Sequence, residues 1–137
     1  MTAKTGKADL KTLYKTLLVL VFSSSLNAQT TDENGIPYDS VEAALAALES
    51  NSEAVLTEYE GWKVFNVKEN GVYNLWSFTS AEHPAHPSVV KRSILKKSDK
   101  LFIDMEALCE STNIFCEALM EDFKAINENI IQRESSG

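Results

Sequence analysis

Asn70-Gly71 sits between two runs of strand-forming residues, and that arrangement narrows the possible folds more than anything else in the chain. A two-residue hairpin turn needs positive φ at its centre, which Gly adopts freely and Asn tolerates. On the N-terminal side Trp62, Val64 and Asn66 alternate with Lys63, Phe65 and Val67. On the C-terminal side Val72 to Thr79 carries Tyr73, Leu75, Trp76 and Phe78. Two such runs around Asn-Gly predict an antiparallel hairpin. Val55–Tyr59 reads either as a preceding strand or as the continuation of a helix.

More strands follow. Residues 80–87 hold Pro84 and Pro87, which lack a donor and restrict the residue before them, so this stretch is expected to be a stiff loop. Ser88 to Lys97 is expected to be a third strand, Lys96 to Lys100 a charged turn, and Leu101 to Met105 a fourth strand. Upstream, Asp39 or Ser40 can cap a helix over about 40–50, with Glu42 completing a capping box and Val41, Ala44, Leu45 and Leu48 forming one apolar stripe. At the other end Cys116, Leu119, Phe123, Ile126 and Ile130 recur at helical spacing. The expected fold is α+β: a helix, a four-stranded antiparallel β-meander, and a C-terminal helix packed on one face of the sheet.

The N-terminus differs from the rest. Lys4, Lys7, Lys11 and Lys15 precede the uncharged run Leu17 to Leu26, and Asn27-Ala28 offers a small residue for cleavage. This is the layout of a secretory signal. The run is about half the ~20 apolar residues that a membrane-spanning helix needs. The expected organisation is a signal peptide over 1–28, a mobile leader over 29–38 and one domain over 39–137. Loss of 1–28 takes Lys+Arg from 13 to 9 and Asp+Glu from 20 to 19, so the net charge moves from −7 to −10. Such acidity disfavours nucleic acid and anionic lipid and favours a basic protein partner. The expected compartment is the periplasm or the exterior, with no membrane anchor left after cleavage.

Two cysteines, Cys109 and Cys116, are expected to pair in an oxidising compartment. Seven positions within one helix span about 10 Å of rise, too far for a bond. A disulfide therefore requires the last helix to start after Cys109, near Ser111, rather than at Asp104.

The stretch from Trp76 to Arg92 concentrates the candidate chemistry. It holds both histidines, His83 and His86, together with Lys91 and Arg92. Two histidines three apart could ligate a metal, yet the prolines extend the loop and a third ligand is not apparent. One histidine as base and the other as acid could cleave a phosphate ester, but the domain's acidity would repel that substrate. A proline-stiffened loop loses little entropy on binding, and Trp and His are good anchors. His83, His86, Lys91, Arg92 and Trp76 are thus the candidate binding residues, although Trp62 and Trp76 also read as core. There is no nucleophile elbow, phosphate loop or Cys-x-x-Cys motif, so neither a catalytic set nor a cofactor is assigned.

The run Trp76-Ser77-Phe78-Thr79, His83-Pro84-Ala85-His86-Pro87 and Val90-Lys91-Arg92, with Cys109-Glu110 and Cys116-Glu117, resembles small exported proteins of Gram-negative bacteria that have no assigned activity. The resemblance covers about 70–130 and implies a compartment. The expected function is a non-catalytic binding or inhibitory module acting on another extracytoplasmic macromolecule. The alternatives are a metal-binding protein or small hydrolase using His83 and His86, and an envelope structural protein.

Overall fold

A computed structural model describes residues 35–137. The signal peptide expected over 1–28, and the leader as far as residue 34, lie outside the described residues.

The fold is α+β: an N-terminal helix α1 (Val41–Glu49), five strands β1 (Val55–Tyr59), β2 (Trp62–Glu69), β3 (Val72–Phe78), β4 (Ser88–Lys97) and β5 (Lys100–Cys109), and a C-terminal helix α2 (Asn113–Ser136). All neighbouring strands pair antiparallel, in the order β1-β2-β3-β4-β5. Three connections are two-residue turns with both residues at positive φ: Glu60-Gly61 (49° and 82°), Asn70-Gly71 (52° and 80°) and Ser98-Asp99 (50° and 64°). This backbone matches the right-handed twist of the strands it joins. The long connection is the proline loop between β3 and β4.

The meander has one strand more than the four expected. Every residue of β1 is exposed, so burial imposes no alternation on its sequence. Its place comes from pairing with β2, Leu56 opposite Phe65 and Tyr59 opposite Trp62. The last strand also continues beyond Met105 to Cys109, because its pairing with β4 runs on to Ser88.

Alternation along β2 sends apolar side chains to both faces. Phe65 and Val67 meet Trp76 and Phe78 of β3, Val89 of β4, and Val41, Ala44 and Leu48 of α1. The opposite face carries Trp62, Val90, Met105 and Ala107, covered by Leu119 and Phe123 of α2. The two helices therefore cover opposite faces, α2 the one and α1 the other. Ser40 caps α1, its side chain accepting from the Ala43 amide at 3.0 Å. The amide of Val41 donates to the Glu110 carboxylate, tying α1 to the end of β5.

The leader expected over 29–38 does not extend through its last residues. Ile36 is 1 % exposed within the α1-side core, and Tyr38 meets Trp76 edge-on at 5.8 Å. An isolated apolar residue between Gly35 and Pro37 has no periodic neighbours to reveal its burial.

Cys109 closes β5 and is bonded to Cys116 in the first turn of α2, with 5.8 Å between Cα atoms. The helix does begin after Cys109, and the bond pins its first turn to the sheet. A disulfide indicates folding in an oxidising, non-cytoplasmic location. Among the described residues no helix is long and apolar enough to cross a membrane.

Candidate functional site

The five residues singled out in the sequence do not share one surface. Trp76 and Lys91 are paired across β3 and β4 on the α1 face, with the Lys91 ammonium 5.2 Å from the Trp76 ring centroid. Arg92, the next residue along, points to the α2 face by strand alternation. Its guanidinium carbon lies 5.1 Å from the Phe123 ring centroid.

The histidines also part. The loop 79–87 is fastened at its ends by reciprocal bonds. The Thr79 amide donates to the Ser88 carbonyl, and the Ser88 amide donates to the Thr79 hydroxyl, both at 3.0 Å. Ala85 is fully buried, and the Ser88 hydroxyl donates to its carbonyl. Buried Ala85 divides the loop. Before it, His83 turns toward the α2 face, its ring edge-on to Trp62 at 5.2 Å and its Nδ1 accepting from the Ala85 amide at 3.0 Å. After it, exposed His86 lines a hollow of ≈ 350 Å³ with Val41, Leu45 and Phe78 on the α1 face. Its Nδ1 stands 3.2 Å from both the hydroxyl and the carbonyl oxygen of Thr79. The two imidazoles thus do not converge. Among the described residues no group of three His, Cys, Asp or Glu side chains is placed to hold a metal ion.

The α2 face carries a second hollow of similar size, more open and richer in aromatic side chains. The helix crosses the β4–β5 half of this face and leaves the β1–β2 half open. A groove of ≈ 360 Å³ results, lined by Tyr59, Trp62, Val64, Arg92, Phe123 and Ile126 among others, with Glu60 and Asp122 also on its walls. Trp62 forms a wall, being only half-buried and 6.1 Å from Phe123 between centroids, whereas Trp76 is core. Tyr59 is 68 % and Ile126 44 % exposed, so two large apolar side chains stand in water beside this cleft.

Arg92 is the only cation on the groove wall, and its environment is unusual. Its Nε is shut off from solvent with no hydrogen-bond partner. Nη1 makes one long contact, 3.5 Å to Asn127 Oδ1. Burial lowers its pKa from the ordinary guanidinium value, since desolvation disfavours charge. Among the described residues the ion pairs are Lys63–Glu49 and Lys124–Glu121, and neither involves Arg92.

The sequence reading missed Tyr59, Phe123, Ile126 and Asn127 as site residues. The seam expected along α2 included Ile126, but the buried line runs Leu119, Phe123, Asn127. Steps of four follow the helix surface at 3.6 residues per turn, and Ile126 falls to the groove side of that line. Asn127 is buried because it serves Arg92 on one side and, through its amide, the Met105 sulfur at 3.5 Å on the other. A polar residue one step off an apolar seam was the available signal.

Comparison of the chain with protein-family models, curated proteins and solved structures finds no match, so the site is read from its own geometry.

Proposed function

We propose that the protein is an exported, non-catalytic binding or inhibitory module of the periplasm or the secreted fraction. Its binding surface is the groove between α2 and the open half of the sheet. The observation that carries this reading is a single groove that brings together exposed Tyr59, half-buried Trp62 and buried Phe123. Aromatic side chains in a partly desolvated cleft are the usual anchors of a protein interface. His83 belongs to this surface through Trp62; Trp76, Lys91 and His86 belong to the other face.

The partner is another extracytoplasmic macromolecule, and a basic protein fits best. The mature charge of −10 and the carboxylates of Glu60 and Asp122 on the groove would steer a cationic surface toward it. The resemblance to small exported proteins and the basic, then apolar N-terminus support the compartment.

The test is affinity capture from periplasmic extract with the mature domain and with Trp62→Asp, whose fold is checked by circular dichroism. A basic protein held by the native domain, released by salt and lost with Trp62→Asp is the expected result. Equal capture by both, or none at micromolar bait, would sink the proposal.

A further inference from the structure

The sheet ends in two edges of different kinds. At β5 the edge is flanked by α2, through the Cys109–Cys116 bond, and by the incoming chain, where Gly35 meets the Glu106 side chain. At the other end β1 has a strand neighbour on one side only among the described residues, and all five of its residues are exposed. Its pairing with β2 runs unbroken from Val55 to Tyr59. The turn at Glu60-Gly61 fixes which backbone groups are free. A two-residue turn closes on a hydrogen-bonded pair, here Tyr59 and Trp62, and bonding then alternates along the ladder. Val55, Thr57 and Tyr59 therefore spend their amides and carbonyls on β2, and Leu56 and Glu58 direct theirs outward. Natural sheets guard such an edge with lysine, proline or a bulge, and β1 has none of the three.

We propose that β1 accepts an extended segment of a basic partner protein as a sixth strand, one in which Lys or Arg alternates with apolar side chains. This rests on the reading of the protein as a binding module for a basic protein and states how that partner is held. Main-chain bonds to Leu56 and Glu58 supply the attachment. The side chains on the two faces set the pattern. Val55, Thr57 and Tyr59 share the face of Trp62 and Val64 by register, so apolar residues of the added strand extend the aromatic groove wall. Val55 and Tyr59 are 66 % and 68 % exposed, and cross-strand neighbours would cover both. Leu56 and Glu58 lie on the other face. Lys63, directly across from Glu58, is held by Glu49 at 3.0 Å, and the Glu58 carboxylate enters no ion pair among the described residues. Glu53 and Glu60 flank the strand, and residues 50–62 contain no Lys or Arg. An incoming cationic strand meets these three carboxylates, whereas a second copy of this chain would bring the same three against them, so charge selects a basic partner over self-association.

The test is a titration of the isotopically labelled mature domain with the peptide acetyl-Lys-Val-Lys-Phe-Lys-Val-Lys-amide, read by amide resonances and amide hydrogen exchange. One control replaces every Lys by Glu. The other N-methylates Phe and the Lys after it, which puts one methyl on each edge of the strand. The cationic peptide is expected to bind at about millimolar strength or better, less tightly as salt rises, and each control at least about tenfold more weakly. Exchange at the Leu56 and Glu58 amides should slow on binding, while Val55, Thr57 and Tyr59, already bonded to β2, change little. Leu56→Pro removes one outward donor and keeps the bonds to β2, so it should abolish binding in a domain whose fold is intact by circular dichroism. Glu58→Lys keeps the backbone and should weaken the cationic peptide by about tenfold while improving its Glu counterpart. Binding without protection of Leu56 and Glu58, equal binding of the N-methylated peptide, or no shift at about 5 mM peptide would overturn the strand addition. Protection of those two amides that grows with protein concentration in the absence of peptide would assign the edge to a second copy and overturn the basic partner. Partner capture lost with Trp62→Asp but unaffected by Leu56→Pro would leave the groove as the binding surface and remove β1 from it.

Discussion

Replacing Ile36 by alanine tests whether the chain before α1 is structural. The side chain is 1 % exposed and lies in the cluster formed by α1, Phe65, Trp76 and Val89. Alanine removes three buried carbons, worth about 2.4 kcal/mol at ~0.8 kcal/mol per buried methylene. The space left is walled by sheet side chains on one side and by α1 on the other, so it collapses only in part. A cavity contribution raises the expected loss to about 3 kcal/mol, within the range for large-to-small core substitutions. For a domain of roughly 100 residues this corresponds to a fall of about 12–24 °C in Tm. Urea unfolding should show the midpoint reduced with the slope unchanged, because the same surface is exposed on unfolding. Pro37→Ala, at an exposed neighbour, is the control and should change stability by no more than about 0.5 kcal/mol. A loss below about 1 kcal/mol for Ile36→Ala would refute the reasoning, since only a side chain already in water is so cheap to shorten.

Three further outcomes are expected. Cys109→Ser with Cys116→Ser should cost about 2.5 kcal/mol, the chain-entropy value for so short a loop, and amide exchange should quicken first in the opening turn of α2 that the bond anchors; unchanged protection there would contradict the anchoring role. Arg92→Met should leave stability unchanged or raise it by about 1 kcal/mol, because it removes a desolvated, poorly bonded charge while keeping contact with Phe123; a loss above about 2 kcal/mol in thermal unfolding would mean that Asn127 satisfies the guanidinium after all. Gly71→Ala forces a Cβ into φ 80° and should cost about 1 kcal/mol from backbone strain alone, since nothing lies within 4 Å of the added carbon; a neutral result in urea unfolding would show the turn relaxing to another type.

Much of the fold was legible in local chemistry. Asn70-Gly71 named its own turn, Ser40 capped α1, and the spacing of Cys109 and Cys116 forced α2 to start after the first of them once the two were bonded. Alternation also carried a message easily overlooked: β2 is apolar on both sides, with Phe65 and Val67 on one and Trp62 and Val64 on the other. A strand of that kind needs cover on both faces, and α1 and α2 supply it separately.

Determined by sequence alone, then, were the elements whose cause lies within a few residues: turns that need positive φ, a helix cap, a periodic stripe, a pair of thiols. Tertiary structure decided whatever depends on which partner arrives. Exposed β1 is a strand because β2 lies beside it, and Ile36 is core because two layers close over it. His83 and His86 separate because buried Ala85 between them sends the loop to both faces. Arg92 leaves Lys91 and joins Phe123 and Asn127, from a helix about thirty residues away, because adjacent strand residues point to opposite faces and only folding chooses what waits there.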